Sequence, residues 1–458
     1  MRSAVISYFQ YAEKFASQRL ALESLAIMTK PLSAPPHYDV VLAGGGIIGL
    51  CTALFLREKG LSVAVLDKGR PGYEQSSRNW GWVRTINQAM EELPLALASR
   101  PLWQHWATEG DFGYARTGLL SLAQDQEEWN ALENWLAAAR HHGFDARELG
   151  RSEISSLVPQ SRGQWAGALY SPGDARAEPD LAMRFLVRKA EAAGVTILPD
   201  TAVKSIDIQG GRACGFETET GRISASSVVV AAGIWSRWLC KTVDIVLPQL
   251  KVIASVLRTE PVDGGPDPII ASSRFSLRRR MDGGYTVAQR NSSITYVTPD
   301  SFRFLREFMP NFLKQKKLLS VRIGSSFVDE LRQERQFGKG RPNPFEQYRA
   351  CDPTPDRKTL ARTLQRLRED MPMFEKTRVA AMWAGVIDVV PDALPILSPV
   401  ARYPGLFVAT GFSAHGFGIG PASGKLMANL IMGEPDTLGH EHFTLERFGC
   451  NGERTQAR

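Results

Sequence analysis

The run Gly44-Gly45-Gly46-Ile47-Ile48-Gly49 has the spacing G-x-G-x-x-G, and Asp67 follows Gly44 by 23 residues. Those residue types at those distances suit a dinucleotide. Glycine at 44 allows a tight turn, and glycine at 46 lets the backbone approach a pyrophosphate. Glycine at 49 lets a helix pack closely on a strand. An acid at the position of Asp67 accepts hydrogen bonds from a ribose 2′-hydroxyl, and its charge disfavours a 2′-phosphate.

The elements that must position these residues are legible around them. Asp39-Val40-Val41-Leu42-Ala43 is a short apolar run that reads as a strand. Residues 50–59 are helix-like, and a second apolar run, 61–66, ends at Asp67. Together they form a βαβ unit whose helix N-terminus turns free N–H groups and a partial positive charge toward the anion. The uncharged stretch 40–56 contains four glycines and a strand-turn-helix pattern, so it reads as cofactor-site core rather than a membrane span.

A chain of 458 residues exceeds one simple domain and has volume for a sizeable core. The five cysteines are scattered without a C-x-x-C pair. This is neither a disulfide framework nor a metal site, and it fits a reducing, cytoplasmic setting. The net charge is +7, and residues 301–370 alone hold 16 Lys/Arg against 9 Asp/Glu. The excess therefore belongs to one segment. It reads first as a solvated helical surface. Attraction of an anionic substrate, an acidic partner or the inner face of a membrane stays open, as does oligomer formation. No aromatic-basic interleaving accompanies it, which argues against nucleic acid.

Helices are expected over 91–109, 125–140, from Asp180 (as cap) to 193, over much of 301–370, and over 423–432. Strands are expected at 119–122, 195–198, 203–208, 213–218, 222–225, 227–232, 250–258, 275–280, 285–289, 378–383 and 406–409. The fold class is α/β. A discontinuous Rossmann-like cofactor domain (38–90, 165–245 and 378–440) carries a substrate domain (91–164 and 246–377) with a mostly antiparallel sheet. Residues 1–37 form an N-terminal extension, poorly ordered or helical, and 441–458 an irregular tail.

Three separated stretches resemble the D-amino-acid oxidase superfamily of FAD-dependent oxidoreductases, especially its D-amino-acid dehydrogenase, glycine oxidase and opine-oxidase-like members. Ser76-Ser77-Arg78-Asn79-Trp80-Gly81 stands where that family contacts the pyrophosphate and flavin. Val228-Val229-Val230-Ala231-Ala232-Gly233-Ile234-Trp235 looks like its second strand-turn signature. Thr410-Gly411-Phe412-Ser413-Ala414-His415-Gly416-Phe417-Gly418 leads into a glycine-rich stretch to Gly424 and resembles its C-terminal flavin loop. The resemblance implies FAD contacts at Gly44, Gly46, Ile48, Gly49, Asp67, Lys68, Ser77, Arg78, Asn79, Trp80 and Gly81. It implies further ones at Val203, Ala232, Gly233, Trp235, Gly411, His415, Gly416, Phe417 and Gly418.

The resemblance also implies the reaction. A C–N bond of an amino acid or secondary amine is oxidised by hydride transfer to flavin, and the imine is then hydrolysed. Oxygen, a quinone or a partner flavoprotein accepts the electrons. Relatives hold a substrate carboxylate with an arginine before the last cofactor strand. Here Ile387 stands at that position and Asp388 follows it. Either another arginine clamps the carboxylate (Arg278, Arg280, Arg290 or Arg349), or Asp388 meets a cationic substrate. The catalytic candidates are Asp388, Trp383, His415 and Arg280, with no metal. Residues 382–396 hold no cysteine for flavin attachment, so non-covalent FAD is expected. A nicotinamide dehydrogenase would share the βαβ unit but not the later stretches. A flavin-binding subunit of a hetero-oligomeric dehydrogenase is the remaining alternative.

Overall fold

A computed structural model describes residues 37–449, apart from 291, 316–318, 338–341 and 343. The expected extension over residues 1–36 and the end of the tail, 450–458, lie outside them.

The glycine pattern does build a βαβ unit. The strand His37–Ala43 runs parallel to Val63–Leu66 with Val40 opposite Val63, and the helix Ile47–Glu58 connects them. Thr196–Leu198 extends this parallel sheet on one side. On the other side lie Gly221–Val230, Leu406–Thr410 and Ile396–Pro399, in that order. The segments 222–225 and 227–232, expected as two strands, are one. The outer part of Gly221–Val230 pairs with Arg212–Thr218, while Val228, Val229 and Val230 pair in parallel with Leu406–Thr410. A ten-residue strand is long enough to serve both partners.

The second sheet has ten strands and is mostly antiparallel. At its centre Leu250–Thr259 pairs with three neighbours, among them Val379–Val389. That neighbour runs from Ala381 opposite Arg258 to Val389 opposite Leu250, well beyond the 378–383 expected. Residues 384–389 thus stay paired with 250–255 in this second sheet, and the Asp388 side chain bonds to Thr410 of the first. The basic segment is largely helical, but Leu319–Arg322 adds a strand to this sheet that its charge pattern concealed.

The C-terminal helix is the largest departure. It spans Gly416–Met432, so the glycine-rich stretch expected as a loop is its first turns. The glycines are there for packing. A Cβ at Gly424 would lie 2.5 Å from Cys51 Cβ, and one at Gly420 would lie 3.0 Å from Ile47 side-chain atoms. A larger residue would push this helix off Ile47–Glu58. Pro421 sits inside the helix. The neighbouring helix Leu93–Glu109 supplies bonds there: Ser99 Oγ accepts from Ala422 N at 3.0 Å, and Trp103 Nε1 donates to the Gly418 carbonyl at 3.3 Å. Asp180 lies in the first turn of Pro179–Ala192 rather than at its cap, because Pro179 already opens the helix. Among the described residues no helix is long and apolar enough to cross a membrane.

Candidate active site

Glycines bring the distant motifs into contact. Gly44 has φ +113°, and a Cβ there would lie 2.3 Å from the Ala231 carbonyl oxygen. Ala231 N donates to Ala43 O at 2.9 Å, which joins the first motif to the second. A Cβ at Gly49 would meet the Gly44 carbonyl oxygen at 2.0 Å, so the helix is seated directly on the turn. A Cβ at Gly418 would approach Trp82 O at 3.2 Å, which places the third motif beside the stretch after Arg78.

The three motifs line one cavity. Gly44, Gly46, Ile48, Asp67, Lys68, Arg78, Asn79, Trp80, Val203, Ala232, Gly233 and Trp235 are on its wall. Asp388, His415, Gly416, Phe417 and Gly418 complete it. Ser77, Gly81, Gly411, Gly49, Trp383 and Arg280 are not on that wall. Gly49 packs the helix, as above. Gly81, at φ +76°, passes so close to the Ala177 carbonyl that a Cβ would lie 2.2 Å away. Trp383 Nε1 donates to Arg78 O at 2.9 Å and so braces the cofactor stretch from behind.

At one end Asp67 accepts from Gly45 N and Gly69 N, each at 2.9 Å, and burial pushes its carboxyl above the ordinary range. Ser76 Oγ accepts from Ile47 N at 3.1 Å, tying the second stretch to the glycine turn. Residues 345–352, which the sequence reading gave to the substrate domain, cross this end. Arg349 is spent there on Glu219, at 2.8 and 2.6 Å. Arg78 is engaged as well: its Nη1 donates to Cys351 O at 2.8 Å and lies 3.0 Å from Asp352.

Asp388 is 2 % exposed and belongs to a polar knot. Its Oδ2 accepts from Gly411 N at 2.6 Å, Thr410 Oγ1 at 3.1 Å and Gln249 Nε2 at 3.1 Å. Gln249 Nε2 also reaches Gly233 O at 3.1 Å. The knot joins the second and third motifs, and burial raises the Asp388 carboxyl above its usual range. His415 precedes the C-terminal helix, with Nδ1 2.8 Å from Oε2 of the fully buried Glu92.

Of the four candidate clamps, Arg278 and Arg280 share Glu178. Arg278 makes two bonds to it, at 2.8 and 3.0 Å, and Arg280 Nη2 lies 3.0 Å away. Burial works against the Glu178 charge, but these arginines outweigh it and hold the carboxyl below the usual range. Of the four, Arg290 lines the cavity unengaged: among the described residues its guanidinium meets no hydrogen-bond acceptor within 3.5 Å and no carboxylate within 4.0 Å. Arg84, Gln88 and Glu92 escaped the sequence reading. Each is a lone polar residue outside any motif, and only the fold brings it to the site. Far from the cavity, Asp436, His440 and Glu441 place ligand atoms within 4.8 Å of one another, but His440 Nδ1 is already 3.0 Å from Asp436.

The cavity suits FAD. The turn at Gly44 and Gly46 is bare of side chains, and the first-turn N–H groups of Gly416–Met432 line the wall, so phosphate and flavin oxygens both meet backbone donors. The DAO profile, described as FAD dependent oxidoreductase, matches residues 39–430. Glycine oxidase of Geobacillus kaustophilus is 26% identical over 90% of this chain and 97% of its own. Sarcosine oxidase subunit beta of an Arthrobacter species is 25% identical over 90% and 91%. The structure of L-amino acid deaminase from Proteus myxofaciens in complex with anthranilate superposes with a TM-score of 0.87 at 30% identity, covering 91% of this chain and 95% of that one. With a profile spanning most of its length and a Rossmann-like site built from all three motifs, the chain belongs to the DAO family of FAD-dependent oxidoreductases.

Proposed function

We propose that the enzyme oxidises the Cα–N bond of an amino acid, or of a secondary amine derived from one, whose carboxylate is held by Arg290. Oxidation of an amino-acid or amine C–N bond is the reaction class of this FAD-dependent enzyme. The observation that carries the finer reading is Arg290, which lines the cavity with no partner among the described residues, while the other three candidate clamps are engaged by Glu178 or Glu219. A half-buried cation without a partner is costly, and a substrate carboxylate relieves that cost.

Bound FAD supplies the electron acceptor: the Cα hydrogen leaves as hydride, the amine loses a proton, and water hydrolyses the imine to a 2-oxo acid and an amine or ammonia. The protein residues position and exclude. Arg290 fixes the carboxylate end. Gln88, 2 % exposed, carries an unpartnered amide oxygen that accepts from a substrate N–H. Trp80 and Trp82, 5.1 Å apart edge-to-face, wall off water. The Glu92 carboxylate, 2.8 Å from His415 Nδ1, fixes the orientation of the imidazole at the cavity wall.

FAD binds non-covalently in this reading, since no cysteine among the described residues lines the cavity. Intact mass of the denatured chain tests this, and a retained flavin adduct would refute it. Electrons then pass to oxygen, a quinone or a partner flavoprotein. Phe302, Leu305, Phe312, Leu313, Val321 and Ile323 are exposed within the basic segment, which suits peripheral contact with an anionic membrane. Co-sedimentation with anionic vesicles checks that contact, and partitioning equal to that with neutral vesicles would remove it.

The central experiment is anaerobic. The holoenzyme is mixed with D- and L-amino acids and N-alkylated amino acids, and bleaching of the oxidised flavin band is followed. Bleaching by a carboxylated amine supports the reading. Silence across the panel sinks it, and turnover by the single chain shows that no second subunit is required.

A further inference from the structure

We infer that the substrate carries a second carboxylate, recognised by Arg84, so that this enzyme acts on amino or imino dicarboxylic acids. The inference rests on Arg290 holding the first carboxylate.

Arg84 follows the short strand Trp82–Val83 and lines the same cavity as Arg290. One of its nitrogens, Nη1, donates to Ile86 O at 2.6 Å, and no other bond to it is found among the described residues. Neither Arg84 nor Arg290 has a described carboxylate within 4.0 Å. The acids whose fields reach them are engaged elsewhere. Glu92 is on His415, and Asp174 accepts from Thr85 N and, at 2.7 Å, from Thr85 Oγ1. Glu128, the acid felt by Arg290, accepts from Gln124 N at 2.9 Å.

This arrangement is unlike that of the buried Arg278 and Arg237. Arg278 sits on Glu178, and Arg237 on Asp300 and Glu334. Two desolvated cations left unpaired in one cavity repel each other and lack counterions. Burial first, and the neighbouring Arg290 second, push the Arg84 guanidinium down to about 10. A ligand with one negative charge compensates one of them, and a ligand with two compensates both.

The two arginines also enter from different walls. Arg84 N lies 3.7 Å from where a Cβ of Gly418 would be, on the side of the flavin-facing helix. Arg290 follows Tyr285–Ala288 in the antiparallel sheet. Anchors from separate elements thus bring two guanidinium groups into one cavity, matching a ligand that carries two acids.

The test compares anaerobic flavin reduction in matched pairs: glutamate against glutamine, aspartate against asparagine, each in both enantiomers, and N-(carboxymethyl)glycine against N-methylglycine. The holoenzyme is expected to favour the dicarboxylic member at least tenfold in kcat/KM. In Arg84→Met that ratio is expected to fall at least tenfold, and in Arg84→Lys to fall less. If Arg84→Met fails to retain flavin, the wild-type holoenzyme still decides, because glutarate is expected to perturb the flavin spectrum at a lower concentration than butyrate. Equal efficiency within the pairs, an Arg84→Met loss equal for both members, or equal binding of glutarate and butyrate overturns the second carboxylate while leaving amino-acid oxidation intact. Failure of every pair to bleach the flavin overturns both.

Discussion

Arg290 and Asp388 are opposite cases of one problem, a charge in a dry place. Asp388 is satisfied by the chain itself, through Gly411, Thr410 and Gln249, whereas Arg290 has no partner among the described residues. Their substitutions should therefore fail differently. Arg290→Met removes hydrogen bonds to a charged group, about 1.5–3 kcal/mol. That corresponds to a loss in kcat/KM of roughly 10- to 150-fold, with flavin content preserved. Steady-state kinetics beside a flavin-to-protein ratio would show it, and unchanged kcat/KM would count against the clamp. Asp388→Ala instead orphans the Gly411 N–H, at about 1–3 kcal/mol, and leaves Thr410 and Gln249 with their bonds to Gly233 O. A lowered melting temperature and weaker FAD retention are expected, ahead of any change in KM. A KM effect with unchanged melting would return Asp388 to the role of substrate partner. Asp388 was visible in the sequence through its neighbour Ile387, which lines the cavity. What its oxygens bind was not visible, because its partners Gln249, Thr410 and Gly411 lie on other strands and turns, up to 139 residues away in the chain. Arg84 was invisible for the same reason: a single arginine after a two-residue strand has no period and no motif.

Among the elements, the βαβ unit was the most legible, because strand, glycines, helix and acid are contiguous and each constrains the next. The C-terminal helix was the least legible. Its Gly416, Gly418, Gly420 and Gly424, with Pro421, have the composition of a loop, yet close packing on Ile47–Glu58 and bonds from Ser99 and Trp103 hold it helical. Tertiary contacts overrode propensity there. Short strands such as Leu319–Arg322 likewise exist only because a neighbour pairs with them. Gly49→Ala tests the tightest of these seats. Its new methyl would meet backbone, not a movable side chain, 2.0 Å away at Gly44 O. Overpacking of this kind costs about 1–3 kcal/mol, and here the displaced atoms form the pyrophosphate turn. The variant is expected to purify largely without flavin and to melt lower. Full flavin occupancy with an unshifted melt would show that the turn tolerates the strain.

On the scale of the whole molecule, several arginines of residues 301–370 are held in ion pairs. Arg303, Arg322 and Arg349 pair with Glu334, Asp356 and Glu219. Glu334 also meets Arg237 and Lys241, anchoring the basic segment to the helix Ser236–Lys241 of the cofactor layer. Burial opposes its charge, but the bonds from Arg303 and Arg237 prevail and bring its carboxyl from 4.5 to about 2. A carboxyl depressed by folding stabilises above its unfolded value, and that contribution is lost as pH falls through the folded one. Melting temperature should therefore fall as pH drops from about 4.5 toward 2. Glu334→Gln should melt lower at neutral pH and lose that portion of the acid slope. An acid slope identical to wild type would detach the cluster from stability.

The strand Leu406–Thr410 lies between Gly221–Val230 and Ile396–Pro399, and His415 and the flavin-facing helix come after it. During synthesis the first glycine turn leaves the ribosome hundreds of residues before the segment that completes its pocket. Until then the edge of Gly221–Val230 is bare and the nucleotide has half a berth. Flavin acquisition is thereby a late event, and the interval before it is when the nascent chain most needs chaperone protection against edge-to-edge association.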